Sequence, residues 1–369
     1  MRKFIIITMK NKDLLIYILF ILLNFIIMSF LYLYSISIGG IGLGLKFTSS
    51  GDDGVYYYHI AKEVWKGIGH EFINLQPIVL GGVMKIMGTN EVYILRLFNF
   101  IPVIFIPYFL FKLSEKKNVG FLFLYLLVYP SLVFVLNYSL YRDGWIILLY
   151  LISLTLIKNF NNKINILLLV PTLIILFFYR EYVVLSLLIS LTYYYLIVYR
   201  KIKFKYVIYA TFALILPVYL FVPDLHIPIV DLSLNEALAF REKNAEIYQG
   251  TSQFNIKLSS LPLHIFILNF IKSILLNIFG PLALSFNSAF FLIVFAFESL
   301  VFIYVSFIIL KRRNNLSTFN LFLLATSIIW FLLVGIINDN LGTGLRLRIL
   351  GWLPILTIFT DVTYKGEAK

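Results

Sequence analysis

The sequence predicts an all-α polytopic membrane protein of about ten transmembrane helices, with interfacial amphipathic helices beside them. Hydrophobic residues fill 61% of the 369 positions and charged residues 13%, at a mean hydropathy of +0.92. Too little polar surface remains to cover a water-soluble fold of this length. The apolar residues also fall in runs near the ~20 residues that a bilayer core requires, separated by short polar breaks.

The first run, Leu14 to Tyr34, is too long for a signal-peptide core and lacks a small-residue cleavage pattern. It reads as a retained span, which leaves the basic segment Met1 to Lys12 in the cytoplasm. Residues 39–90 then form a first outer loop. A central bundle over 91–222 holds Val92 to Phe111, Val119 to Leu136, Trp145 to Ile157, Ile164 to Phe178, Tyr182 to Tyr199 and Tyr206 to Val222. Residues 223–287 make a second outer loop, and 288–362 hold the last three spans, Ser288 to Leu310, Thr318 to Ile337 and Ile349 to Thr360. The whole of 1–369 is one membrane domain.

Leu263 to Leu284 is apolar enough to cross, but a crossing there would invert the cluster Lys311-Arg312-Arg313. Breaks at Pro262, Gly280 and Pro281, and Lys272 in mid-segment, favour a re-entrant or interfacial segment, since irregular backbone at membrane depth is tolerated where it lines a cavity. A full extra span is the alternative.

The net charge of +13 does not point to nucleic acid, because its distribution follows membrane sidedness. Alternating the spans from a cytoplasmic N-terminus places Lys10, Lys12, Lys116-Lys117, Arg200-Lys201, Lys203, Lys205, Lys311-Arg312-Arg313, Lys365 and Lys369 inside, as the positive-inside rule requires. Both termini are then cytoplasmic. The absence of cysteine excludes disulfides and thiolate chemistry.

Candidate chemistry collects on the outer face. Asp52-Asp53 opens an aromatic stretch, and Val55 to Lys66 reads as an amphipathic interfacial helix ending at Gly67. One aspartate suffices as its cap, and the other would sit ionised in the positive field of the helix start. Arg142-Asp143 and Arg180-Glu181 stand at the outer ends of two spans, and Arg346 and Arg348 precede the last. Four arginines around one mouth exceed what interface anchoring needs, and guanidinium suits bidentate phosphate contact. Ser233-Leu234-Asn235-Glu236 is a capping box starting a helix that stops at Gly250, readable as a lid or as a packed loop. Glu298 lies inside a span and demands a partner. No cofactor is called for. The histidines show no metal-ligand spacing, although Asp224-Leu225-His226 leaves a divalent cation open.

Taken in order, one span, an acidic pair in the first outer loop, a Tyr-rich helix, Pro77, Gly88-Thr89-Asn90-Glu91 and Arg96-Leu97-Phe98-Asn99 leading into the second span, the N-terminal ~115 residues resemble the GT-C superfamily of membrane glycosyltransferases. Weaker echoes lie in Tyr141-Arg142-Asp143 and Arg346-Leu347-Arg348, and the arginine-rich outer face is also similar to O-antigen polymerase type proteins. The resemblance implies transfer of a sugar from a polyprenyl-(di)phosphate carrier to a glycan or lipid acceptor on the non-cytoplasmic face of the cell membrane, with inversion. It implies Asp52 or Asp53 as general base, and Arg142, Arg180, Arg346 or Arg348 against the departing phosphate. Asp143, Glu181, Tyr57 and His59 stand beside them as further substrate contacts. The rival from another class is a transporter or flippase of lipid-linked sugars, for which the halves of the chain show no matching repeat.

Overall fold

A computed structural model of the chain describes residues 9–44, 52–69, 74–115, 119–198, 200–247, 252–282 and 289–363. Expectations placed on residues 1–8, Lys116-Lys117, Tyr199, Gly250, residues 283–288, Lys365 and Lys369 lie outside them. The described residues are helical, without strands, and carry only the isolated bridges Ile227 to Leu232 and Gln253 to Asn340.

α1 (Asn11–Ser37) is followed by the short pair α2 (Asp53–Lys66) and α3 (Leu75–Met87), then α4 (Val92–Asn99) and α5 (Ile101–Leu113). α6 (Gly120–Leu127), α7 (Pro130–Asn137), α8 (Asp143–Lys158), α9 (Lys163–Tyr179), α10 (Glu181–Val198) and α11 (Phe204–Phe221) make the centre. α12 (Leu234–Ile247) and α13 (Leu263–Phe279) precede α14 (Ala289–Val294). A π-helical turn, Phe295–Ser299, joins α14 to α15 (Leu300–Lys311), and α16 (Thr318–Ile337) and α17 (Leu341–Thr363) close the chain.

Among the described residues, four helical stretches are long and apolar enough to cross a membrane: Asn11–Ser37, Val92–Leu113, Ala289–Lys311 and Thr318–Ile337. The expected third span is instead two helices, α6 and α7, bent by 63° at the break before Pro130, and counts as a fifth crossing if taken as one. Proline at the start of α7 lacks the N–H that a continuous helix would use, which accounts for the break. α9 and α13, at 17 residues each, are apolar but reach only ~25 Å at 1.5 Å per residue, short of a ~30 Å hydrocarbon core. The last helix begins at Leu341, earlier than the expected Ile349, and so carries Arg346 and Arg348 within it.

Polar ties sort the two ends of the bundle. At one end, Asp361 accepts from the Ser114 hydroxyl at 2.8 Å and from the Glu115 N–H at 3.1 Å. There too Lys158 Nζ donates to the carbonyls of Lys112, Leu113 and Ser114, capping the C-terminus of α5, and Arg312 donates to Val362 O. The candidate outer residues gather at the opposite end.

α2 and α3 pack against each other over Tyr57, Tyr58, Ala61, Leu80 and Met84. Gly81 is needed at their crossing, because a Cβ there would lie 2.6 Å from Val64 and 2.9 Å from the Ala61 carbonyl. α12 starts at its capping box, with Ser233 N donating to Glu236 at 2.6 Å and Glu236 N to Ser233 Oγ at 3.2 Å. It is a packed element: buried Arg241 donates to Asp339 at 2.6 Å and to Gly335 O at 2.7 Å, fastening α12 to the end of α16.

Deep in the bundle, Glu298 finds its partner. Its carboxylate pairs with Arg348, both side chains being wholly buried, and accepts from Ser131 N at 2.5 Å and Ser131 Oγ at 2.9 Å. Arg348 also donates to Gly280 O, just past the end of α13. The charged pair thus satisfies backbone that the breaks in α7 and α13 leave without intrahelical partners, at a depth where an unpaired polar group is costly.

Candidate functional site

Four helix starts open onto one cleft of about 330 Å³. Asp53 is the first residue of α2, Asn74 the cap of α3, Arg142 the residue before α8, Arg180 the residue between α9 and α10, and Glu181 the first of α10; all line the cleft. Tyr56, Tyr57 and Tyr182, from the first turns of α2 and α10, complete its wall. Helix starts gathered at one cleft bring the positive ends of their dipoles to it, a field that favours an anion.

Arg346, reaching in from α17, is the hub of the charges. Its two terminal nitrogens donate to Asp53 Oδ2 and to Asp143 Oδ2, each at 2.8 Å, and Arg180 donates to Asp143 Oδ1 at 3.2 Å. The Arg346 guanidinium also lies 4.5 Å from the Tyr141 ring centroid. Asp143 is buried, which pushes its carboxyl up, but Arg346, Arg180 and Arg142 outweigh that and hold it well below the usual carboxylate range. Asp143 is therefore a fixed anion shared by two arginines. Asp53 keeps 47% of its side chain exposed while Arg346 holds it.

Among the described residues, three lining side chains hold a buried donor that meets no acceptor: Arg142 Nε, Arg180 Nε and Asn74 Nδ2. Arg180 is 6% exposed and Asn74 3%. Arg142 spends one nitrogen on Tyr179 O at 2.8 Å and, unlike Arg180 and Arg346, touches no carboxylate among the described residues. A donor-rich cleft with a guanidinium that no carboxylate contacts directly suits a phosphate-bearing ligand.

The segment between α7 and α8, which carries Ser139, Tyr141 and Arg142 and leads into Asp143, is held from outside by side chains. Arg96 donates to Asn137 O and Tyr138 O at 2.8 Å each, closing the end of α7, and its Nε reaches Gly42 O at 2.8 Å. Gln76 donates to Leu140 O at 3.3 Å and to Asn99, and Asn99 donates to Tyr141 O at 3.0 Å. These three buried residues escaped the sequence reading of the site, although Arg96 and Asn99 sat in a quoted stretch. The available signal was uncompensated polarity on the buried face of apolar helices.

The structure separates the acidic pair. Asp52 caps α2, accepting from Gly54 N at 2.8 Å, and burial pushes its carboxyl up; Asp53 faces the cleft. Tyr57, Arg142, Asp143, Arg180, Glu181 and Arg346 come together with Asp53, as the sequence grouped them. Two of the grouped residues lie away from the cleft. Arg348 is not at the mouth, because two residues along a helix turn a side chain some 200° away, and it points inward to Glu298. His59 is exposed beside Tyr58 and outside the cleft lining, being six residues beyond Asp53, whereas Tyr56 and Tyr57, three and four beyond, share its face. His226 lies 3.4 Å from Asp231 and 3.5 Å from Glu236, both exposed, and among the described residues no group of three His, Asp or Glu converges as a metal ion would need. Compared with known protein families, curated proteins and solved structures, the chain matches none.

Proposed function

We propose that the protein is a GT-C-like membrane glycosyltransferase that moves a sugar or oligosaccharide from a polyprenyl phosphate or diphosphate to a glycan or lipid acceptor on the non-cytoplasmic face of the cell membrane. The observation that carries this reading is the convergence of four helix starts, Arg142, Arg180 and one half-exposed carboxylate, Asp53, on a single cleft. An anion-binding end beside an oriented base is what displacement at a phosphate-activated anomeric carbon needs.

In this reading Arg346 engages Asp53 Oδ2 and leaves Oδ1 for the acceptor hydroxyl. The acceptor proton passes to Asp53 as its oxygen bonds to the anomeric carbon, and the carbon–oxygen bond to the carrier phosphate breaks with its electrons on the phosphate. Arg142, Arg180 and the helix dipoles receive that charge. A single displacement inverts the anomeric centre. The ten crossings, the re-entrant reading of α13 and the cytoplasmic termini belong to the same proposal, supported by the shared end on which the site residues lie.

Reconstitution in liposomes with radiolabelled polyprenyl-linked sugar and crude acceptor lipids tests it. Product formed by the wild type and lost in Asp53→Asn supports the transferase; an elongated carrier-linked glycan assigns a polymerase of the same chemistry. Label crossing the bilayer with no new glycosidic bond, in both proteins, overturns it in favour of a transporter.

A further inference from the structure

We infer that the buried Glu298–Arg348 pair is the positioning device of the cleft, setting the height and rotation of α17 so that Arg346 can hold Asp53 and Asp143 together. The inference rests on the transferase reading for its kinetic consequence and on geometry alone for its structural one.

The pair stands where four pieces of backbone meet, three of them irregular and the fourth a continuous helix. Glu298 lies in the π-helical turn; Ser131, whose N–H and hydroxyl both bond it, is the second residue of α7 after the 63° break; Gly280, whose carbonyl Arg348 takes, follows the last residue of α13; and Arg348 itself belongs to α17. Neighbouring bonds reinforce the junction: Ser299 Oγ donates to Pro281 O at 3.3 Å, Tyr125 to Phe297 O at 2.9 Å, and Trp352 Nε1 to Ile278 O at 3.2 Å. The Phe302 ring stacks on Trp352 at 3.7 Å and lies 5.3 Å from the Arg348 guanidinium. Regular packing offers no register at broken helices, so a directional charged contact supplies one. Uniqueness of register is the best-attested use of a buried ion pair.

Two of the four pieces run straight into the cleft. α7 leads through Asn137 to Asp143, and α17 carries Arg346 only two residues before Arg348. The 2.8 Å contact between Arg346 and Asp143 is thus the upper closure of a frame whose lower closure is Arg348, Glu298 and Ser131. Sliding α17 by ~1–2 Å, the scale on which packed helices shift, would break the upper closure without displacing Arg142 or Arg180. Glu298 and Arg348 touch neither substrate nor base, so they are positioning residues.

The test uses the absence of native cysteine. Glu63 on α2 and Thr343 at the start of α17 are exposed and outside the cleft. Spin labels on Glu63→Cys, Thr343→Cys report their separation by double electron–electron resonance in the reconstituted full chain. Arg348→Lys keeps the charge but gives up the planar fork that spans Glu298 and Gly280 O. Glu298→Gln with Arg348→Gln carries no charge to strand, and so guards against misfolding of the first variant. The expected result is a distance distribution shifted or broadened by about 1–2 Å. With it, kcat per folded molecule falls about 100-fold at nearly unchanged KM, as misplacement by about 1 Å can cost. A wild-type distance distribution and wild-type kcat per folded molecule in both variants would reduce the pair to a stability element and overturn the inference. Should the wild type itself transfer no sugar, the transferase reading fails while the distance measurement still decides the positioning role.

Discussion

Arg346 donates to Asp53 at 2.8 Å across 293 positions of sequence, and its other terminal nitrogen holds Asp143 at the same distance. One guanidinium therefore orients the candidate base and ties the last helix to the start of α8. A lysine has one compact ammonium and no fork to satisfy both carboxylates. Arg346→Lys should fold, because Asp143 retains Arg180, and should lose about 10- to 100-fold in kcat with little change in KM, since the interaction serves the reacting groups. Steady-state kinetics on reconstituted protein check this; a pure rise in KM would assign Arg346 to substrate binding instead.

The two adjacent aspartates should behave oppositely. Asp53→Asn removes the proposed proton acceptor and should lower transfer by about 10²- to 10⁴-fold while leaving the fold intact. Asn caps a helix as well as Asp does, so Asp52→Asn should retain activity, whereas Asp52→Ala should cost about 1 kcal/mol of stability through the lost bond to Gly54 N. Transfer assays and thermal unfolding on the three variants separate the roles. Equal losses of transfer in both Asn variants would mean the base was assigned to the wrong carboxylate, or to the pair.

Arg142 touches no carboxylate among the described residues, so its charge is the one most available to a ligand. Arg142→Met should weaken binding of polyprenyl phosphate about 10- to 100-fold, the scale of a charged hydrogen bond of 1.5–3 kcal/mol, without lowering the unfolding midpoint appreciably. Removing Arg180 is a poorer probe, since Asp143 would stay buried with half its compensation gone. Unchanged carrier affinity in Arg142→Met would refute the phosphate role.

What the sequence disclosed depends on range. Helices announce themselves through local apolar runs, so α1, the stretch from Val92 to Leu113 and α16 were legible, as was α2 with its stop at Gly67 in the left-handed region at φ 74°. The grouping of Asp53, Arg142, Asp143, Arg180 and Glu181 was legible because each stands at a helix start at the same end of the bundle. The bend at Pro130 was not, since apolar residues run through it and nothing local shows that Glu298, 167 positions away, will take the freed Ser131 N–H. Arg348 was misplaced for the same reason: its partner is tertiary, while its sequence neighbour Arg346 belongs to the cleft.

Burial pushes the Asp52 carboxyl upward, against the pull of the Ser139 hydroxyl and Gly54 N–H. A carboxyl raised in the folded state holds its proton more tightly there than in the unfolded chain, whose value is near ~3.9. Stability from this group is therefore unaffected below that value and falls as pH rises toward the folded one. Asp52→Asn removes the penalty, so its stability relative to wild type should grow from about pH 4 upward and then level off. Asp143, held low, acts in the opposite sense: its contribution is present above about 4 and is lost only in stronger acid. Thermal midpoints of wild type and Asp52→Asn at several pH values check the first sign, and a difference independent of pH would show that Asp52 is not perturbed.

Gly54 is where α2 meets the segment before α8. A Cβ there would lie 2.1 Å from Ser139 Oγ and 2.6 Å from the Leu140 backbone nitrogen, closer than real carbons approach. The serine can turn aside, but the backbone of Leu140 is fixed by the Gln76 bond to its carbonyl. Gly54→Ala should therefore push α2 away from α8, costing about 1–3 kcal/mol as overpacking does. It should also lengthen the path from Asp53 to Arg346 and Asp143, so kcat falls more than the loss of folded protein explains. Ser139→Gly added to Gly54→Ala removes the nearer clash but not the backbone one, so it should restore part of the stability and less of the activity. Full recovery of both in the double variant would show that the Ser139 side chain alone sets the approach, and that the backbone contact plays no part in aligning the two helix starts.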